Sequence, residues 1–64
     1  MQMIPVQSSS ISAIGYDEET ETLKVTFVNG RSYEFSNFPP DEFEAFKNAP
    51  SIGSYFNDNI KGQY

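Results

Sequence analysis

The side chains able to do covalent chemistry in this chain are serines, threonines, lysines and carboxylates, with no histidine and no cysteine among its 64 residues. A hydroxyl nucleophile needs a base beside it, and Lys24, Lys47 and Lys61 are scattered along the chain. The carboxylates Asp17, Glu18, Glu19 and Glu21 crowd into one polar stretch, where solvation is their ordinary role. A glycosidase-like acid pair would need a cleft that a chain this short does not enclose. The same stretch lacks the ligand spacing and the glycine of an EF-hand calcium loop. Without Cys or His, disulfides and the usual zinc sites are excluded. The expectation is therefore no enzyme, no catalytic residue, no metal and no cofactor.

Two constellations suit binding instead. Lys24, Thr26, Arg31, Tyr33 and Phe35 lie on two strands joined by Asn29-Gly30. If they share an exposed face, the aromatics flanked by two cations form a platform for stacking single-stranded bases. Ser51, Gly53 and Asn57 fall within two turns at the start of a helix, where free amides attract a phosphate or carboxylate. The bland alternative is that Gly53 permits close helix packing and Asn57 ties down a neighbouring backbone group. Tyr64 is expected to pack over the core edge.

The elements that position these residues follow from pattern. Residues 9–16 (SSISAIGY) read as a strand broken at Gly15, with Ile11 and Ala13 on one face and Ile14 and Tyr16 towards the other. Asp17 to Thr20 forms a turn, since Asp bonds its own downstream backbone. Leu23, Val25 and Phe27 alternate with Thr22, Lys24 and Thr26 in a second strand. Asn29-Gly30 signals a hairpin into a third strand over Arg31 to Phe35. Pro39-Pro40, followed by Asp41 and Glu42, begins a helix whose Phe43 and Phe46 share a face and whose Lys47 lies near the end. Ser51 caps a second helix running to about Ile60, with Ile52, Phe56 and Ile60 as its apolar stripe. The fold class is α+β: a three-stranded antiparallel β-meander followed by two short α-helices packed on one face, in one domain over residues 1–64. Residues 1–8 are an irregular or extended N-terminal segment.

The hairpin register decides which residues are surface. A two-residue Asn29-Gly30 loop sets Thr26 opposite Tyr33 and Lys24 opposite Phe35, and creates the aromatic–cationic face. A three-residue loop, Val28-Asn29-Gly30, with Gly30 in the left-handed conformation, slips the pairing by one. Val25 then faces Tyr33, Leu23 faces Phe35, and Thr22, Lys24, Thr26, Ser32 and Glu34 are left outside. A domain of this size buries only ~60% of its unfolded surface. Six Phe and four Tyr are its main apolar resource. Burial favours the second register.

The chain also resembles the KTSC domain, a family named for the C-terminal segment of certain bacterial lysyl-tRNA synthetases and occurring as free-standing small bacterial and phage proteins. The resemblance covers Ser9 to Tyr64. Its most specific stretch is Ala49-Pro50-Ser51-Ile52-Gly53-Ser54-Tyr55-Phe56-Asn57, followed by Ile60-Lys61 and the terminal Tyr64. Gly15-Tyr16-Asp17, Leu23 to Phe27 and Asn29-Gly30 also match. The family's Tyr-x-Tyr pair is here Tyr33-Glu34-Phe35, one hydroxyl short, and its tail has only Lys61 where relatives are more basic. The resemblance implies a small interaction module, with a suggested RNA-binding role by association with a synthetase.

A net charge of −5 repels nucleic acid at long range and weakens the RNA expectation. The leading expectation is a protein partner or self-association. RNA, tRNA or single-stranded, is the alternative. A phage or mobile-element accessory protein that binds a host factor or small anionic ligand is a third. No segment is long and apolar enough for a membrane span, and no membrane partner is expected. The absence of Cys fits a cytoplasmic setting.

Overall fold

The computed structural model describes residues 2–63. It forms a four-stranded antiparallel meander, β1 (Met3–Pro5), β2 (Ile11–Asp17), β3 (Thr22–Phe27) and β4 (Ser32–Phe35), in that order across the sheet. Then come α1 (Pro40–Lys47), α2 (Ile52–Tyr55) and a single turn of π-helix over Phe56–Ile60. The α+β class and the β-β-β-α-α order of residues 9–60 match the expectation, and the strand count differs by one. The N-terminal segment, expected to be irregular or extended, supplies β1, which pairs Met3 with Gly15 and Pro5 with Ala13. A proline fits there because β1 is an edge strand. The expected packing of Tyr64 lies outside the described residues.

Two details of β2 depart from strict alternation. Register shifts between Ile11 and Ala13, so Ser12 is an extra residue in a β-bulge. Ile11 and Ile14 therefore lie on the same side and are both fully buried, rather than on opposite faces. Gly15 does not break the strand, since it pairs with Met3 on one side and Lys24 on the other.

The β3–β4 hairpin takes the register that buries more. Leu23 faces Phe35, Val25 faces Tyr33 and Thr26 faces Ser32. The Gly30 amide donates to the Phe27 carbonyl at 3.0 Å, and Gly30 sits at φ 92°. The Asn29 side chain accepts from the Arg31 amide at 3.0 Å. An L-residue at that φ meets its own backbone. Gly30→Ala should therefore cost about 1–2 kcal/mol, read as a lower midpoint in urea with an unchanged slope.

The core lies between one sheet face and the helices. Ile11, Ile14, Leu23, Val25, Phe38, Phe46 and Ile60 have no exposure, and Phe43, Ile52 and Phe56 are buried with them. Helix α1 starts as its sequence dictates, with Pro40 in the first turn, Asp41 and Glu42 beside the positive end of the dipole and Lys47 in the last turn. Its Phe43 and Phe46 reach the core. Ser51 caps α2 by accepting from the Ser54 amide at 3.4 Å. The Ile52–Phe56–Ile60 stripe is buried as expected. The helix does not stay α to Ile60, however: it widens after Tyr55, and the Lys61 amide donates to the Phe56 carbonyl at 2.8 Å, a five-residue step.

Tyr16 turns inward opposite Leu23, stacks on Phe43 with ring centroids 5.0 Å apart, and donates its hydroxyl to the Phe38 carbonyl. Desolvation, with the nearby Glu21, Glu18 and Asp17 carboxylates adding to it, holds this phenol above its ordinary value of 10.0. The neutral form is thus favoured more in the folded than in the unfolded chain. Its stabilising contribution is complete below pH 10 and is lost as pH rises through the higher folded value. We expect stability to fall above pH 10 in the parent. Tyr16→Phe should be less stable near neutrality and less sensitive to alkali, with one tyrosine that ionises above its ordinary value missing from its absorbance titration.

Candidate functional site

The hairpin register that fills the core separates the five residues expected to form one platform. Lys24 and Thr26 lie on the open sheet face, where Lys24 pairs with Glu34 and the Thr26 hydroxyl meets Ser32 at 3.1 Å. Tyr33 and Phe35 lie on the opposite side, above the helices, because Val25 and Leu23 are their partners. Arg31 is exposed at the loop end of the same side. The single aromatic–cationic face of the two-residue-loop register does not form: the pairing favoured on burial puts Tyr33 and Phe35 on one side and Lys24 and Thr26 on the other.

The expected anion site is also divided. Ser51 spends its hydroxyl on the helix cap. A Cβ added to Gly53 would lie 3.0 Å from the Ser10 Oγ and 3.4 Å from the Ser8 Oγ, so this glycine permits close approach of the segment leading into β2. Asn57 is exposed, and its side chain makes no hydrogen bond to another described residue. Close helix packing at Gly53 is thus as anticipated, whereas Asn57 does not tie down a backbone group.

Asn57 belongs to a different site. Between the free edge of β4 and the π turn runs an open groove of about 300 Å³, lined by Phe27, Tyr33, Phe35, Phe56, Asn57, Lys61 and Gly62. Its aromatics hold one another edge-to-face: Phe27 on Tyr33 at 5.6 Å, Phe27 on Phe56 at 5.3 Å, and Phe35 on Phe56 at 5.8 Å. Such contacts fix ring orientation as well as burying area. Phe56 is buried and anchors the floor, while Tyr33 remains 48% exposed at the rim. The π turn presents Asn57 and Lys61 beside that floor. The groove thus offers ring faces to an apolar or planar group, an amide to a hydrogen-bonding group, and one ammonium to a negative charge.

Tyr33 and Lys61 are the titratable groups among its described lining residues. Among the described residues, no group of three or more His, Cys, Asp or Glu is placed to hold a metal, and every buried side-chain polar atom has a hydrogen-bond partner. No helix of the described residues is long and apolar enough to cross a membrane. Phe27 and Phe56 read as core positions in the sequence, and Lys61 as an isolated charge. Their one advance signal is the surplus of aromatics in the second register, which sets Phe27, Tyr33 and Phe35 at one end of the sheet.

A family model described as KTSC domain matches residues 7–64. A protein of Stutzerimonas stutzeri is 38% identical over 64 residues, covering all of this chain and 90% of its own length. A protein of Nostoc punctiforme named lysine–tRNA ligase is 37% identical over 62 residues, and the matched stretch spans 97% of this chain but 11% of the ligase. The crystal structure of a KTSC domain protein from Yersinia pestis superposes with a TM-score of 0.94 at 35% identity, over 97% of this chain and 87% of that one.

Proposed function

The chain belongs to the KTSC domain family, and on that footing we propose that it is a non-catalytic interaction module that seats part of a protein partner in the groove between β4 and the π turn. The observation that carries this reading is Tyr33: a large ring, 48% exposed, packed edge-to-face against Phe27 at the rim of an aromatic trough. Tyrosines in this setting concentrate binding energy at protein interfaces, because little side-chain freedom is lost on contact. Against catalysis stands a chain without His or Cys to activate its hydroxyls. In favour of protein over nucleic acid stand the net charge of −5 and a groove with Lys61 as its one lysine.

A peptide selected from a displayed random library and titrated into ¹⁵N-labelled protein tests the reading. Shifts at Tyr33, Phe35, Phe56, Asn57 and Lys61 support it, and selection that yields no groove-binding peptide counts against it. A single RNA strand is the second reading, favoured by the matching stretch within a protein named lysine–tRNA ligase. Short single-stranded RNA should then shift the same residues, with affinity falling steeply as salt rises.

A further inference from the structure

We propose that the groove's protein partner is a second copy of this chain, docked antiparallel along β4 with the two Tyr33 residues facing each other across a two-fold axis. This rests on the groove being a protein-binding surface and adds the occupant. Among the described residues, strand β4 pairs only with β3, which leaves its other edge open. The Phe27 amide bonds the Arg31 carbonyl at 2.7 Å, and the pairs alternate from there. Arg31, Tyr33 and Phe35 therefore direct their backbone groups to β3, while Ser32 and Glu34 direct theirs to the free edge. A second β4 must match those outward groups, which leaves three two-fold registers within so short a strand.

Charge and burial choose among them. Centring on Glu34 sets that carboxylate opposite its own copy. Centring on Ser32 leaves Phe35 opposite the hairpin loop. Centring on Tyr33 pairs Ser32 with Glu34 at both ends of the backbone ladder. On the groove side it sets Tyr33 against Tyr33 and places each Arg31 across from the other copy's Phe35, a cation–π arrangement. The two grooves then merge into one trough, and the exposed Tyr33 rings are covered by each other. Each copy carries −5, so added salt should strengthen this association, the reverse of its effect on RNA binding.

Sedimentation and ¹⁵N spectra of the intact chain from about 50 μM to about 1 mM test it, a span suited to a small interface. The expected result is a concentration-dependent dimer. Ser32→Glu should weaken it about tenfold, by facing Glu34 with a second carboxylate, and adding Glu34→Lys should restore it. Ser32 and Glu34 are exposed and lie outside the core, and urea curves of each variant check that the fold survives the loss of the Thr26–Ser32 contact and of the charge opposite Lys24. The chain has no native cysteine, so Tyr33→Cys should cross-link to itself under mild oxidation and Lys24→Cys should not. A monomer at all concentrations, with Tyr33→Cys unlinked, overturns the proposal; so does a dimer that Glu34→Lys fails to restore. If the chain stays monomeric yet a selected peptide shifts the groove residues, the interaction-module reading stands and self-pairing alone falls.

Discussion

Phe46→Ala should leave the domain largely unfolded at 25 °C. Phe46 has no exposure, and its ring stacks on Tyr55 at 5.4 Å. Removing a fully buried phenylalanine costs about 3–5 kcal/mol through lost transfer energy and the cavity left behind. A core in a chain below about 70–80 residues rarely supplies more than ~3–5 kcal/mol in total. This chain has no cysteine and so no disulfide to make up the loss. The vacancy would also free Tyr55, whose hydroxyl donates to Glu42 and links α2 to α1. Far-UV circular dichroism through a urea titration checks this. A cooperative transition within about 1 kcal/mol of the parent would show that α1 is not part of a single cooperative core.

Tyr33→Ala should do the opposite: spare the fold and remove binding. The ring is half in solvent, and its packing partner Phe27 remains anchored on Phe56. Stability should change by no more than about 1 kcal/mol. Affinity for a groove-selected peptide should fall at least ~30-fold, the effect of losing a rim aromatic worth about 2 kcal/mol or more. Calorimetry of parent and variant, alongside their urea curves, separates the two quantities. Equal affinities would remove Tyr33 from the site, and joint loss of folding and binding would make it a core residue.

The contrast between these two phenylalanine and tyrosine positions shows where sequence reasoning is strong. Phe46 is legible as core from its i, i+3 spacing with Phe43 behind a Pro-Pro-Asp-Glu helix start. The three-residue hairpin loop is legible because a thin core cannot leave both Tyr33 and Phe35 outside, and Gly30 suits the positive φ this loop needs. Strand β1 is not, since Met3-Ile4-Pro5 is short and contains a proline. The Ser12 bulge is hidden for a different reason: inserting one residue changes which side chains share a face without needing any special residue type.

The groove was harder to see than the core because its walls come from three separate segments. Phe27 ends β3, Tyr33 and Phe35 sit on the edge strand, and Phe56, Asn57 and Lys61 come from the π turn. A regular α-helix over the same residues would rotate Asn57 and Lys61 relative to Phe56 by a different angle per residue. The widened turn carries no obvious sequence mark within Phe56-Asn57-Asp58-Asn59-Ile60. The tail segment shared with the family is nonetheless the one that supplies this wall, so the stretch most characteristic of the resemblance coincides with the stretch that shapes the groove.

The most direct test is a chemical-shift map of the ¹⁵N-labelled chain with a library-selected peptide, run on the parent and on Tyr33→Ala. Perturbations centred on Tyr33, Phe35, Phe56, Asn57 and Lys61 in the parent, and absent from the variant, are the predicted result. Perturbations centred instead on Lys24 and Thr26 of the open sheet face, or on Ser51 and Gly53, would contradict it.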